Sequence, residues 1–188
     1  MPAVASRPLD PRKLLLPRTT QRIALRRLSV ADLPAFQAYR HDPAVGLYQG
    51  WSAQPDDDAL AFLNEMATAQ LLVPGAWCQI GIADKESNAL IGDIGICVAL
   101  DERTAEIGFT LSAASQGKGL ASEAVIEVIA LLFERTPIGG AVAITDSRNL
   151  PALRLLVNVG MRQTAVVSTT FRGEPCTEHE FEIRRPAD

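Results

Sequence analysis

The sequence predicts a mixed α/β fold, in which a mostly antiparallel sheet carries helices on its faces. Three apolar, strand-like runs follow one another at residues 77–83, 90–100 and 105–111, and only short polar links separate them. Successive strands with such short links form an antiparallel meander. The third run leads into a long helix pattern and then into the wholly apolar run 141–145, which together predict one βαβ unit with a right-handed crossover.

The elements that precede the meander can be predicted from their local patterns. Residues 21–28 alternate apolar and basic side chains, which predicts a first strand with one buried face. Ser29 and Asp32 then form the pattern of a capping box, which predicts the start of a short helix. This helix should end near Arg40, because Asp42-Pro43 stops it.

Three consecutive acids, Asp56 to Asp58, precede the next helix pattern. Because acidic residues are favourable at a helix N-terminus, we interpret this run as an N-cap with its first turn rather than as metal ligands. After the βαβ unit the sequence predicts a helix at residues 151–159. Two last strands, at residues 163–170 and 177–183, flank a turn at residues 172–175.

Size and composition indicate one domain, which we place at residues 18–188, behind a Pro- and Arg-rich arm at residues 1–17. The 47% of hydrophobic and 21% of charged residues are typical of a soluble globular protein. A net charge of -4 argues against a nucleic-acid-binding surface. No leader-like segment opens the chain, and no apolar run approaches the roughly 20 residues of a membrane span, so we expect a cytoplasmic protein.

The sequence predicts no metal site. Its cysteines, Cys78, Cys97 and Cys176, are widely spaced and form no C-x-x-C pair. His41 and His179 are also far apart in the chain. Structural and catalytic zinc sites need several such ligands at characteristic spacings, which this chain does not offer.

A glycine-rich turn, Gln116-Gly117-Lys118-Gly119, joins the third strand of the meander to the long helix. Glycines at such a place let the backbone approach a ligand closely, and the helix dipole adds partial positive charge there. The turn therefore predicts an anion site, with a plain structural turn as the alternative. The dinucleotide-binding pattern G-x-G-x-x-G is absent because Ser122 occupies its third glycine position, and the Walker spacing is absent too.

The loop at residues 44–55 contains two large aromatic residues, Tyr48 and Trp51. Two interpretations of these rings are open. They could wall a substrate pocket, since loops often carry binding residues. Alternatively they cover the core, since aromatic side chains dominate packing area.

Three stretches of the sequence resemble the GNAT family of N-acetyltransferases. The first is the opening TQRIALRRLSVADLPAFQAYRHDP, and the second is IGDIGI followed by AEIGFTLSAASQGKGLASEA, which contains the family's Q-x-x-G-x-A as Gln116, Gly119 and Ala121. The third is DSRNLPALRLLVNVGM, which is similar to D-x-x-N-x-x-S-x-x-L-x-x-x-x-G-[FM]. The predicted element order also resembles that family's fold, and the branch most similar to this chain contains the ribosomal-protein-alanine N-acetyltransferases.

The resemblance implies acetyl-CoA as the donor and a primary amine, on a small molecule or a peptide, as the acceptor. It implies that pyrophosphate is cradled by the turn residues Gln116, Gly117, Lys118, Gly119, Leu120 and Ala121. The pantetheine arm would lie along the strand residues Phe109, Thr110 and Leu111, with a hydrogen bond from Asn149. For the Lys118 side chain, a charge near the phosphates and a solvated surface position are both open. A homodimer is expected by resemblance alone.

The implied reaction is direct attack of a neutral amine on the thioester, which needs a base, an oxyanion donor and a proton for the departing thiolate. Glu106 is our candidate base, because an acid in an apolar strand beside the donor could have a raised pKa. A purely structural glutamate is the alternative, and Asp93 is a rival candidate. A backbone N–H of the strand that holds the donor would stabilise the oxyanion.

The sequence departs from the family where the thiolate acid is expected. The family's serine position holds Ala152, and the tyrosine position of other branches holds Leu156. Water, Ser147 or the substrate's own ammonium group could donate the proton instead. The departure also raises an alternative function, a non-catalytic acyl-CoA-binding module. A Rossmann-type nucleotide binder is disfavoured by the glycine spacing.

Overall fold

In the computed structural model, which describes residues 15–187, eight strands form a single mixed sheet. The strands are β1 (Arg18–Thr19), β2 (Ile23–Arg26), β3 (Trp77–Asp84), β4 (Leu90–Val98), β5 (Thr104–Leu111), β6 (Gly140–Asp146), β7 (Arg162–Phe171) and β8 (Glu174–Arg184). Their order in the sheet is β1-β2-β3-β4-β5-β6-β8-β7. The helices are α1 (Leu33–Arg40), α2 (Pro43–Gly46), α3 (Asp56–Thr68), α4 (Leu120–Arg135) and α5 (Leu150–Asn158).

The predicted meander and βαβ unit are confirmed. Strands β3, β4 and β5 pair antiparallel in succession, and β5 connects through α4 to β6, its parallel neighbour. The parallel pairing is short: it ends at Glu106 and Val142, and beyond these residues the two strands share no further pairs. This early separation of β5 and β6 opens the sheet at its centre.

Each face of the sheet carries its own core. On one face, strand residues such as Ile80 and Ile94 share a buried cluster with Val125 and Leu132 of α4. On the other face, α1, α2 and α3 pack around a second cluster: Leu28, Phe36, Tyr39, Val45, Ala59, Leu63, Met66 and Leu90. Alternate residues of the central strands therefore point to different helices, as the period of two in a strand requires.

Asp42-Pro43 ends one helix and also starts another, which the local sequence pattern did not predict. Helix α1 ends at Arg40 as expected. Asp42 then caps α2 by accepting a hydrogen bond from the Ala44 N–H, and Pro43 occupies its first turn. Proline suits that position because the missing N–H would have no partner there anyway.

The helix start at Asp56 to Asp58 is only partly as predicted. The three acids lie in the first turn of α3, where the helix dipole favours them. The N-cap residue, however, is Pro55, so the predicted aspartate cap is wrong. Asp56 instead accepts a hydrogen bond from Gln37 Nε2 at 2.8 Å, which ties α3 to α1.

The last two strands are longer than predicted, because their turn is only two residues long. Arg172 and Gly173 both have positive φ, 52° and 83°. That is the backbone of a tight hairpin turn whose twist matches the flanking strands. The turn places Arg172 at the tip of the β7–β8 hairpin, facing the loop that follows α2.

The predicted arm lies outside the described residues except for its last three. Of these, Leu15 and Leu16 pack against the core of the α4 face. Arg18 follows at once in β1, where its guanidinium pairs with Glu127 and Glu134 of α4. Among the helices of residues 15–187, none combines the length and the apolar character that crossing a membrane would require.

Candidate active site

A cleft of about 560 Å³ occupies the opening between β5 and β6. Its walls are the unpaired part of β5, from Ile107 to Leu111, and residues 143–145 of β6. The start of α4, one side of α5 and the segment around Tyr48 complete it. Because the sheet itself is split here, the cleft can be reached from both faces.

The β5 wall presents backbone hydrogen-bonding groups to the cleft. Thr110 faces Asp93 across the β4–β5 ladder, and the Ser112 N–H donates to Ile91 O at 2.9 Å. Since peptide groups alternate in direction along a strand, those of Phe109 and Leu111 point to the opposite, open edge. Such an edge can pair with an extended ligand in the manner of an added strand.

The glycine turn has the geometry of an anion site. Gly117 and Gly119 have φ of 71° and 77°, a region that other residues enter only with strain. Gly119 is the N-cap of α4 and provides no side-chain acceptor, so the first N–H groups of this 16-residue helix are left for a ligand. The turn lines one end of the cleft.

An ion-pair cluster fixes this turn from outside. Arg22 donates through Nη1 to Lys118 O at 2.8 Å and through Nε to Glu123 at 2.8 Å. Burial alone would raise the pKa of Glu123, but hydrogen bonds from Thr20 and Arg22 hold it below its usual range. Glu123, in the first turn of α4, therefore stays ionised, and the Arg22 guanidinium compensates its negative charge. The turn keeps its preference for an anion.

The structure brings most of the predicted donor-binding residues together. Nine of the ten line the cleft: Phe109, Thr110, Leu111, Gln116, Gly117, Gly119, Leu120, Ala121 and Asn149. Lys118 does not line the cleft. Its backbone carbonyl accepts the hydrogen bond from Arg22 on the outside of the turn. The Gln116 side chain donates to Leu111 O at 2.9 Å, so it braces the turn against β5.

Asn149 combines a structural and an available hydrogen-bonding group. It is the N-cap of α5, where its Oδ1 accepts from the Ala152 N–H at 3.3 Å. Its side-chain N–H₂ makes no hydrogen bond to residues 15–187 and can donate into the cleft. On the same helix the exposed Arg154 lines the cleft and has no partner in the described residues.

Glu106 lies where the β5–β6 pairing ends, on the sheet face opposite α4. The surrounding protein desolvates its carboxyl group and raises its pKa, and the negative charges of Glu178 and Glu180 raise it further. The side chain is nevertheless exposed, so a substrate can reach it. The structure thus gives Glu106 both properties that a general base needs, access and a raised pKa.

Asp93, the rival candidate, is inaccessible. Its exposed fraction is 0%, and its carboxylate accepts hydrogen bonds from Gln79 Nε2 at 2.6 Å, Arg40 Nη2 at 2.9 Å and the Tyr39 hydroxyl. Desolvation raises the pKa of Tyr39 well above its usual range, and the charge of Asp93 adds to this. The cluster fastens α1 to the sheet, and its burial keeps the Asp93 carboxylate out of reach of a substrate.

The two aromatic residues of the loop have different environments. Tyr48 lines the cleft, half-buried, with its ring 5.9 Å from the Arg148 guanidinium. Trp51 lies behind the cleft: the Arg40 guanidinium stacks 4.2 Å from its ring, and its indole N–H donates to Thr110 Oγ1 at 3.4 Å. Tyr48 therefore lies on the wall of this cleft, whereas Trp51 packs against Arg40 and lines a separate, smaller cavity.

Sequence reasoning missed the contacts that hold this loop. Gln49 Nε2 donates to Phe109 O at 3.2 Å, which ties the loop to the β5 wall. Arg172 Nη2 donates to Gln49 O at 3.1 Å and to Trp51 O at 2.8 Å. Residues 49 and 172 are 123 positions apart, so no local sequence pattern could reveal this pairing.

Two further features of the cleft bear on its chemistry. Ala152 and Leu156 line it from α5 and are almost fully buried, so this helix presents no hydroxyl at the expected positions. Among residues 15–187 no group of three His, Cys, Asp or Glu side chains is placed to hold a metal ion.

Comparisons with known proteins agree with this arrangement. Residues 22–162 match the family described as Acetyltransferase (GNAT) domain. The uncharacterized N-acetyltransferase YnaD of Bacillus subtilis is 27% identical over 145 residues, which are 77% of this chain and 82% of that protein.

Solved structures share the fold. A GNAT-family acetyltransferase from Bacillus anthracis superposes with a TM-score of 0.80 at 22% identity, over 90% of this chain and 98% of that one. The microcin C7 self-immunity acetyltransferase MccE, solved with acetyl-CoA and AMP, has a TM-score of 0.76 at 15% identity, over 88% and 94% of the two chains. With the family match covering most of the chain, this protein belongs to the GNAT acetyltransferase family.

Proposed function

We propose that this protein is an acetyl-CoA-dependent N-acetyltransferase, which transfers the acetyl group to a primary amine by direct attack on the thioester. One observation carries the proposal: a cleft through the split sheet has an anion-binding turn at one end, and the exposed carboxylate of Glu106, whose pKa is raised, lies on β5 directly before the cleft wall that begins at Ile107. Such a cleft suits an elongated anionic donor and a cationic acceptor that meet inside it.

The donor would bind mainly through backbone groups. The N–H groups that start α4 would hold the pyrophosphate, because a helix N-terminus favours anions. On this edge of β5 the carbonyls of Phe109 and Leu111 already accept from Gln49 and Gln116, so the N–H groups of these two residues would donate to the pantetheine arm. Asn149 would donate its side-chain N–H₂ to the same arm. Arg154 is exposed, lines the cleft and pairs with no other residue of the range 15–187, so it would add charge for the phosphates.

The acceptor would approach Glu106 from the sheet face opposite α4. There Glu178 and Glu180 add negative charge, which attracts a protonated amine from solution. The reaction itself needs the neutral amine, so a proton must leave to a base, and the raised pKa of Glu106 suits that step. The oxyanion that develops would accept a hydrogen bond from a backbone N–H on the open edge of β5.

The proposal covers three acceptor types: a small amine, an amino group of an antibiotic and a protein N-terminus. A panel with spermidine, an aminoglycoside and peptides that begin with Ala or Ser represents them. The assay follows release of the CoA thiol at saturating acetyl-CoA, and the wild-type protein should acetylate at least one member. We also propose a homodimer, by family resemblance alone, which sedimentation would check.

One observation favours a different function, a non-catalytic acyl-CoA-binding module. Neither Ala152 nor Leu156 can protonate the departing thiolate. A module of this kind would bind acetyl-CoA tightly in calorimetry and release no thiol with any amine of the panel. That combined result would overturn the proposed catalysis and leave the donor site intact.

A further inference from the structure

The cleft must supply a proton to the departing sulfur if the proposed transfer takes place. A thiolate leaves more readily when an acid protonates it. The two positions on α5 where the family resemblance expects a hydroxyl hold Ala152 and Leu156, whose exposed fractions are 8% and 1%. Another group of this chain must then take over the role.

The hydroxyl groups that line the cleft can be compared directly. They belong to Tyr48, Thr110, Ser115, Ser122 and Thr145. Two of them take part in hydrogen bonds: Thr110 Oγ1 accepts the Trp51 indole N–H, and Ser115 Oγ accepts a hydrogen bond from Ser112 Oγ at 3.0 Å. A third, Ser122, lies in the first turn of α4 beside the anion-binding turn, at the end of the cleft proposed for the phosphates. Tyr48 and Thr145 remain.

Tyr48 is the better acid of these two. A phenol is by its chemistry a far stronger acid than an aliphatic hydroxyl. Within residues 15–187 the Tyr48 hydroxyl makes no hydrogen bond, although its ring is half-buried. It is therefore an unpartnered donor on the wall of the cleft.

The surroundings of Tyr48 hold its ring across the opening. On one side the neighbouring Gln49 is fastened to Phe109 O of the β5 wall at 3.2 Å. On the other side the ring lies 5.9 Å from the Arg148 guanidinium, just beyond the end of β6. Asp146 fixes that guanidinium by two hydrogen bonds, at 2.9 Å and 2.6 Å. Tyr48 is thus tied to the β5 side of the opening through Gln49, and its ring lies near Arg148 at the end of β6, with the proposed thioester site between the two strands.

We infer that the Tyr48 hydroxyl is the acid that protonates the departing sulfur, a catalytic role that rests on the proposed acetyl transfer. The amine nitrogen forms a bond to the carbonyl carbon and gives up a proton to Glu106. The carbon–sulfur bond breaks, and the sulfur takes the proton of the Tyr48 hydroxyl to leave as the free thiol. The proton on Glu106 returns through solvent to the phenolate, so charge and protons balance over one cycle.

The first test needs no acetyl transfer, so it stands even if no amine is acetylated. Bound CoA is titrated by the ultraviolet absorbance of its thiolate in the wild type and in Tyr48→Phe. A hydroxyl within reach of the sulfur stabilises the thiolate, so the thiol of bound CoA should ionise about one pH unit higher in the variant. An unchanged titration would show that the hydroxyl does not reach the sulfur and would overturn the inference.

The other tyrosine of the chain is the matched control. Tyr39 donates its hydroxyl to Asp93 and is 2% exposed. Tyr39→Phe should lower the free energy of unfolding and leave the titration of bound CoA unchanged. If Tyr39→Phe shifts the ionisation of the bound CoA thiol as much as Tyr48→Phe does, the shift reflects destabilisation of the fold. That result would contradict the role assigned to Tyr48.

The second test follows turnover with the amine that the panel identifies. Tyr48→Phe keeps the ring and should lower kcat about 100-fold, with KM for acetyl-CoA unchanged. Adding Ala152→Ser to Tyr48→Phe restores a hydroxyl on the α5 wall and should recover part of kcat. If Thr145→Val instead lowers kcat and Tyr48→Phe does not, Thr145 is the acid and Tyr48 is excluded.

Discussion

The two halves of the candidate active site are built differently. The proposed donor half consists mainly of backbone groups, from the open edge of β5 and the turn before α4. The Asn149 side chain at the N-terminus of α5 and Arg154 on the same helix complete it. The acceptor half consists of side chains from distant parts of the chain, with Tyr48 on the loop after α2, Glu106 on β5, and Glu178 and Glu180 on β8. Backbone recognition is encoded locally, whereas side-chain chemistry is assembled by the fold.

The halves also differ in how they are held. The donor turn is braced by one residue on each side, Gln116 to β5 and Arg22 to the outside of the turn. The acceptor loop depends on cations that reach it from other elements. The Arg40 guanidinium stacks on the Trp51 ring and forms a salt bridge with Asp93. The Arg172 guanidinium donates hydrogen bonds to two carbonyls of the loop. Substitutions should therefore separate donor binding from acceptor chemistry.

The largest effect on donor binding is expected at the turn before α4. In Gly119→Glu a carboxylate enters the turn at a left-handed residue, which strains the backbone and repels the phosphates. Acetyl-CoA binding, measured by calorimetry, should fall by more than about 100-fold. Gly139→Glu makes the same charge change at an exposed glycine outside the left-handed region and should bind normally. Equal affinity of the two variants would remove the phosphate role of the turn.

The next variant should change the rate of acetyl transfer and leave acetyl-CoA binding unchanged. Glu106→Gln removes the proposed base and should lower kcat by about 10²–10⁴-fold, with acetyl-CoA affinity unchanged. Glu106 acts only when ionised, and its pKa is raised, so the wild-type rate should rise with pH through a limb above the range of an ordinary glutamate. That limb should vanish in Glu106→Gln. Glu182→Gln, whose residue pairs with Arg184, is the control on the same sheet.

The same limb tests the neighbouring acids. Removing the charges of Glu178 and Glu180 as Gln should lower the pKa of Glu106, because part of its upward shift comes from their repulsion. The acidic limb of the pH–rate profile should then move to lower pH, while the rate at the plateau changes little. A limb that stays in place would mean that these acids do not act on the group that titrates.

The buried cluster behind the acceptor loop should affect stability rather than donor binding. Asp93→Asn leaves the Arg40 charge without its partner, and breaking a buried pair costs about 3–5 kcal/mol of the free energy of unfolding. Denaturant unfolding would measure the loss, which should be less than about 0.5 kcal/mol in the surface control Asp57→Asn. The folded fraction of Asp93→Asn should bind acetyl-CoA with wild-type affinity.

The smallest effect is expected from the hairpin tip. Arg172→Lys keeps the charge but cannot hold the carbonyls of Gln49 and Trp51 with the same geometry. The loop should loosen, so that KM for the amine rises by less than about 10-fold while KM for acetyl-CoA stays the same. Arg162→Lys, on an exposed part of β7, is the control. If Arg172→Lys changed KM for acetyl-CoA more than KM for the amine, donor binding and acceptor binding would not be separable in this site.

Much of the fold was predictable because its signals are local. Strand-like runs with short links predicted the meander, and the strand, glycine turn and helix predicted the βαβ unit, both of which the structure confirms. Local signals failed at two helix starts. Asp42-Pro43 ends α1 and also starts α2, and Pro55 rather than an aspartate caps α3. A pattern that marks the end of one element does not identify the next one.

The sequence by itself predicted the family, which the family match confirms, and the proposed donor site, because left-handed glycines before a helix N-terminus favour an anion wherever the chain folds locally into that turn. Only the tertiary structure decided which side chains could act. It buried Asp93 among three donors, desolvated Glu106 near two acids of β8, and turned Tyr48 into the cleft while Trp51 packed behind it. The properties of a side chain depend on neighbours that are distant in the sequence, so the acceptor half became visible only in the folded chain.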